Sequence, residues 1–262
     1  GGNLAATATT GNIVDSGTLT ITGTTTLTTS ANNATIALDT TTNAFTGAVT
    51  ITTNDNSGTD ADVTIDGGTT ALILAASTID GDLTVRSGNA SGITDSGTVT
   101  VGGNLAATTD ANSGVIDMGT LAVDGTVALQ TNGTGNATVV NDAGLNFAAS
   151  TVGGALNATA TTGNMTDSGA LAITGTTTLA TSANNATIAL NTRTNAFTGA
   201  VTITTNDDSG TDADATIDGG TTALILAAST IDGDLTVRSG NASGITDSGT
   251  LTIGGNLAAT TD

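Results

Sequence analysis

The groups most able to do chemistry in this chain are carboxylates, and they gather in one place. The stretch TNDNSGTDADVTIDGG at 53–68 holds Asp55, Asp60, Asp62 and Asp66, and it recurs at 205–220 with Asp207, Asp208, Asp212, Asp214 and Asp218. Aspartates alternating with Asn, Ser and Gly are what a hard, oxygen-seeking cation wants, so Ca²⁺ is the cofactor such a loop would take. Neither the EF-hand order with its bidentate Glu nor the GGxGxDx nonapeptide is present. A solvated Asp-rich loop is therefore the competing reading. No other cofactor is required.

A second Asp series sits in turns of the TDSG type, at Asp15, Asp95, Asp117, Asp167 and Asp247. There the carboxylate is expected to close an Asx-turn onto its own backbone. Asp95 and Asp117 lie one short repeat apart and are expected to stack on adjacent coils. The pairs Asp80/Asp82 and Asp60/Asp62 raise carboxylate-only glycoside cleavage, which needs a cleft with sugar-stacking groups. The chain has no Tyr or Trp, and it also lacks His, Cys and Lys. That removes imidazole bases, thiolate nucleophiles, ordinary zinc sites and Schiff-base lysines, and the expectation is a non-catalytic protein. With 23 acidic residues against three Arg, for a net charge of -20, no nucleic acid is expected as a partner. No run approaches the length of an apolar membrane-spanning helix, so no membrane insertion is expected.

The elements that position these residues are written in repeats. Residues 1–110 reappear as 153–262 with 97 of 110 positions identical, so that 1–152 is one copy and 153–262 part of a second. The chain reads as a window cut from a longer repetitive protein. Inside each copy a Gly opens a shorter unit, at Gly2, Gly23, Gly47, Gly81, Gly103 and Gly125, then again from Gly154. Units of this length cannot bury an apolar face alone and imply a solenoid.

Two and four residues after each opener stand apolar residues such as Val49/Ile51 and Leu83/Val85, the exceptions being Thr25 and Thr177. The residues between them are polar or small, as in Thr50/Thr52 and Thr84/Arg86. Period-two alternation means strands with one dry and one wet face. A further apolar residue two before each opener, for example Phe45 or Ile79, ends another inward strand. The pattern predicts an all-β parallel β-helix, one continuous β-solenoid over 1–262, with residues two and four after every opener in a single apolar stack. Thr, Gly, Asn and Asp are poor helix formers and no helical period competes.

The strings GNIVDSGTLTITGTTTLTTSANNATIAL, TNAFTGAVTITT and LILAASTIDGDLTVRSGNASGITDSGTVTVGGNLAAT resemble the tandem repeats of giant bacterial surface proteins of the filamentous haemagglutinin type. That resemblance implies a right-handed parallel β-helix shaft, exported by two-partner or autotransporter-like secretion and serving adhesion. The resulting expectation is a structural shaft of a large extracellular or cell-surface bacterial adhesin or fibre. Its partners would be further copies of the same repeat, joined covalently or by assembly, and a receptor on a host or neighbouring cell. A self-assembling extracellular filament or sheath is one alternative, and a calcium-dependent or carbohydrate-binding repeat module is a second.

Three smaller signals complete the reading. In ALILAAS at 71–77 the alternation turns Ile73 outward, as it does Ile225 in the second copy, marking a lateral contact with a neighbouring shaft or a lone exposed side chain. Outward threonines such as Thr24, Thr26, Thr28, Thr50 and Thr52 raise ice binding, but aligning the openers mixes them with Ala, Asn, Gln and Arg. An irregular array argues against that function, and Thr is in any case the favoured polar strand residue. Sequons at Asn33, Asn89, Asn136, Asn157, Asn164, Asn185 and Asn241 are frequent in any chain of Asn, Ala and Thr.

Overall fold

The computed structural model describes residues 1–54, 60–206 and 212–262. Among these residues every regular element is a β-strand, and the strands pair in parallel. The strands form two compact units, Gly1–Gly135 and Asn136–Asp262. Each is a stack of β-solenoid coils, and the division falls ahead of the 152/153 repeat boundary.

The first unit contains β1 (Leu4–Ala8), β2 (Ile13–Val14), β3 (Thr20–Ile21), β4 (Thr25–Thr29), β5 (Ile36–Leu38), β6 (Ala44–Phe45), β7 (Val49–Thr52) and β8 (Val63–Asp66). It continues with β9 (Leu72–Leu74), β10 (Ser77–Ile79), β11 (Leu83–Ser87), β12 (Ile93–Asp95), β13 (Val99–Val101), β14 (Leu105–Asn112), β15 (Ile116–Val123) and β16 (Thr126–Asn132). One sheet runs β1-β4-β7-β10-β13-β15, with β9 and β12 alongside, and a second runs β2-β5-β8-β11-β14-β16; β3 and β6 pair separately. The second unit repeats the plan. Strands Ala137–Asn141, Leu156–Ala160, Thr177–Thr181 and Val201–Thr204 lead one sheet, and Leu145–Phe147, Met165–Asp167, Ile188–Leu190, Ala215–Asp218, Leu235–Ser239 and Leu257–Thr261 form the other.

The alternation places side chains as the sequence predicts except after Gly2, where Leu4 and Ala6 are half-buried, and after Gly255, where Leu257 and Ala259 are exposed. Val49, Ile51, Leu83 and Val85 are fully buried, whereas Thr50 is half-buried and Thr52 and Thr84 are exposed. All three phenylalanines, Phe45, Phe147 and Phe197, are interior. Identical or similar apolar residues then stack layer on layer, as in Leu83 between Val63 and Leu105. Each such contact removes apolar surface from water at about 25 cal/mol per Å².

The single stack of opener strands is not what forms. The strands after Gly2, Gly23 and Gly47 lie in the first sheet, as β1, β4 and β7, whereas those after Gly81, Gly103 and Gly125 lie in the second, as β11, β14 and β16. The switch occurs in the 34-residue interval from Gly47 to Gly81. That interval is more than one coil, because Thr78 of β10 already lies on Thr52 of β7. A coil has several corners, and an opening Gly marks a corner without saying which. Where two such glycines stack, backbones approach closely: a Cβ on Gly47 would collide with the carbonyl of Gly23.

Candidate functional site

The acidic corners are built by strands that end where the chain turns from one sheet to the next. In the stretch after the first Asp-rich loop, Ala61 points inward while Asp60 and Asp62 stand exposed on either side. Asp62 accepts the backbone N–H of Asp82 in the next layer at 2.8 Å, and Asp214 accepts that of Asp234 at 2.7 Å. Asp66 ends β8 inside the corner, only 6% exposed, and its carboxylate accepts the N–H of Gly68 at 2.7 Å. Asp218 does the same with Gly220 at 2.8 Å. This is the Asx-turn, formed in the TIDGG sequence rather than at TDSG.

Arginine completes the cluster. Arg86 of β11 pairs with both oxygens of Asp110, its Nη2 at 2.9 Å from Oδ1, and its Nε lies 3.9 Å from Asp66. In the second unit Arg238 is 3.0 Å from Asp218 and also pairs with Asp262. Burial pushes the Asp66 carboxyl above the usual carboxylate range, opposed by the Gly68 N–H and by Arg86. The hydrogen bond and charge of Asp110 hold the Arg86 guanidinium above its ordinary value. The arrangement carries a carboxylate–guanidinium–carboxylate column along the layers, one positive group between two acidic ones.

The predicted calcium ligands are thus distributed as follows. Asp62, Asp66, Asp214 and Asp218 are engaged by backbone N–H groups or arginine, and Asp60 and Asp212 are exposed. Asp55, Asp207 and Asp208 lie outside the described residues. Among the described residues no group of three carboxylates comes together to hold a metal ion. Ile73 and Ile225 are half-buried on the outer face, beside Thr94 and Thr246 respectively.

Three of the TDSG aspartates work between layers, while Asp117 and Asp247 stand exposed. Asp15 accepts from the side-chain amide of Asn43 at 2.6 Å, Asp167 likewise from Asn195, and Asp95 accepts the N–H groups of Gly119 and Thr120 at 3.1 and 2.7 Å. Asp95 and Asp117 do not stack, because β12 and β15 pair with Thr94 opposite Asp117. The side chain of Asp95 is consequently one residue out of step and free to reach the next corner.

Sequence reasoning missed a column of residues with the same task. Asp62, Asp82 and Asn104 stand in successive layers, and each side-chain oxygen accepts the backbone N–H of the next member, ending on Thr126. Asn43 and Asn195, both buried, are a second omission: Asn43 accepts the Leu19 N–H at 2.8 Å and donates to Asp15 and to the Leu38 carbonyl. The signal was present as Asn or Asp directly after an opener, at Asn3, Asp82, Asn104, Asp234 and Asn256.

The family model described as "Repeats of unknown function (DUF5649)" matches residues 1–52, 60–118, 134–204 and 212–262. The chain belongs to this family. The matched segments of DUF5649 leave out 53–59, 119–133 and 205–211 and include Asp60, Asp62, Asp66, Asp212, Asp214 and Asp218. No curated protein and no solved structure matches the chain.

Proposed function

We propose that these DUF5649 repeats form a non-catalytic shaft of a large bacterial adhesin or fibre of the filamentous haemagglutinin type, outside the cell. The observation that carries this reading is the layered bonding. Parallel strands hydrogen-bond from layer to layer, apolar columns run through the interior, and side chains at the corners cap the backbone of the following layer. Such a unit gains stiffness and length by adding layers, and its polar groups are spent on holding those layers together. Further copies of the repeat are its nearest partners, and a receptor on a host or neighbouring cell is the target of the whole protein. The chemistry asks for no cofactor, and Ca²⁺ would serve only to stiffen the Asp-rich loops.

The test is made on intact cells that produce the full protein. Antibodies against the repeat should label the surface, the label should be lost on brief external proteolysis, and deleting the repeats should reduce attachment. An epitope accessible only after lysis, or attachment unchanged by the deletion, overturns the proposal.

A further inference from the structure

A hollow opens on the outer face of the second sheet of the first unit, where a short side chain stands between two long ones. The registers of β11, β14 and β16 set Arg86, Thr108 and Gln130 in line across three successive layers. Arg86 and Gln130 are exposed and lie two layers, about 9.6 Å, apart at the backbone. Thr108 between them is too short to fill the gap. Asp110 and Asn132, both exposed, close its trailing side. The result is an open cleft of about 450 Å³, inside the size range of small-molecule sites.

The walls use residues that are scarce in this chain. Gln130 is the only glutamine among 262 residues, and Arg86 is one of three arginines. Arg86, Thr108 and Asp110 return in the second copy as Arg238, Thr260 and Asp262. The opposite wall, Gln130 to Asn132, falls within 119–133, which the DUF5649 model leaves out. It is thus an addition to the repeat and not a consequence of it.

The floor has structural work to do and the rim has little. Thr109 and Thr131 turn inward, and their hydroxyls donate to the carbonyls of Gly114 and Gly135 at 2.9 and 2.8 Å. The Gln130 side-chain amide has no hydrogen-bond partner among the described residues. Arg86 spends two of its five N–H donors on the Asp110 carboxylate, which keeps a further lone pair on each oxygen. Asn132 donates one N–H, to the Asp110 carbonyl at 2.7 Å, and keeps the other and its side-chain oxygen.

Donors and acceptors therefore share one rim, on planar groups suited to paired contacts. A hydroxyl donates and accepts at once, and neighbouring hydroxyls on a sugar ring meet such groups two at a time. An anion is disfavoured, because the guanidinium is already paired with Asp110 in a chain of net charge -20. A peptide would find hydrogen bonds but little apolar wall beyond threonine methyl groups against which to bury a side chain.

We propose that this cleft binds a neutral saccharide, held by Gln130, Asn132 and the Arg86–Asp110 pair. All three Phe are interior and the chain has no Tyr or Trp, so no aromatic ring stacks on the sugar. Hydrogen bonds carry the affinity, which is weak, with Kd on the order of 1 mM. The site does not rest on the adhesin reading, since it is tested on the purified 262-residue chain. Saturation-transfer NMR uses the methyl glycosides of glucose, galactose, mannose and N-acetylglucosamine as probes, with sialic acid and triglycine as anionic and peptide comparisons. At least one neutral glycoside should bind in preference to both comparisons. Thr108→Gln fills the hollow from its floor and Gln130→Ala removes one wall, and each should weaken binding roughly tenfold. Thr78→Gln, exposed on the first sheet, should leave it unchanged. Circular dichroism verifies that all three variants keep their strands; the two cleft variants act in opposite ways on volume, so either one that folds decides the matter. The absence of neutral glycoside binding at concentrations well above millimolar overturns the proposal. So does binding that the cleft variants leave unchanged, or a preference for sialic acid or triglycine.

Discussion

The interior columns and the corner columns hold the same layers together by different physics. Inside, Val63, Leu83 and Leu105 repeat one apolar shape at one height, and any layer contributes by excluding water. At the corners, Asp62, Asp82 and Asn104 each contribute one oriented hydrogen bond to the N–H of the next layer, at 2.7 to 2.9 Å. The interior is therefore tolerant of which apolar residue stands where and intolerant of charge. The corners are intolerant of reach: Asp and Asn serve, and the chain contains no Glu among its 23 acidic residues.

The largest effect should come from placing a charge in an interior column. Leu83→Asp buries a carboxylate between Val63 and Leu105 and should cost about 5 kcal/mol or more, enough to abolish cooperative urea unfolding of the first unit. Thr84→Asp, one residue on and exposed, should stay within about 1 kcal/mol. Equal damage from the two would show that the faces are not distinct.

Next in size is the buried corner. Asn43→Ala leaves the Leu19 N–H, the Leu38 carbonyl and the Asp15 carboxylate without their amide, which should cost about 2–4 kcal/mol. Asn195→Ala should behave alike, because Leu171 and Asp167 stand in the same relation to it. Denaturation midpoints with an unchanged m-value check both. A loss no larger than that of an exposed Asn would remove the corner column from the account of stability.

The two regions also differ in how legible they are. Alternation after Gly47 or Gly81 is local and declares its buried face within five residues, so the strands and their burial can be read directly. Which layer a strand stacks on depends on contacts about 20 residues or more away, and β7 and β11 look alike until Thr78 is found on Thr52. The partners of the aspartates are hidden for a related reason. Clustered carboxylates are suited both to a cation and to backbone N–H groups, and the acceptor's partner comes from the following coil, 20 residues on for Asp62 and 24 for Asp95. Only the recurrence of Asn or Asp after the opener hinted at the cap.

A smaller effect, of opposite sign, tests the interior where it departs from its own rule. Thr25 and Thr177 occupy apolar columns, Thr25 between Leu4 and Val49, and their buried hydroxyls have no hydrogen-bond partner. Valine has the same shape without the orphaned group. Thr25→Val should stabilise the first unit by about 1 kcal/mol, read as a raised urea midpoint, and Thr177→Val should do the same for the second. Destabilisation by either would mean that the hydroxyl has a partner, such as a bound water.

The smallest effect belongs to the corner where charge is buried. Asp66 carries a carboxyl whose pKa is raised in the folded chain, chiefly by burial, against partial compensation from the Gly68 N–H and Arg86. Between its ordinary value of 3.8 and that raised value the folded state holds more proton than the unfolded one. The associated stabilisation is complete below the ordinary value and is lost as pH rises through the raised one. Asp66→Asn keeps an oxygen for the Gly68 N–H but cannot titrate. Relative to this variant, the unmodified chain should gain stability as pH falls from neutral through the acid range, whatever the other aspartates contribute to both. Urea midpoints of the two proteins, compared at each pH, read that difference directly. A relative loss on acidification would mean that Arg86 and the Gly68 N–H outweigh burial at this corner, and that the Asp66 column is held together by its charge.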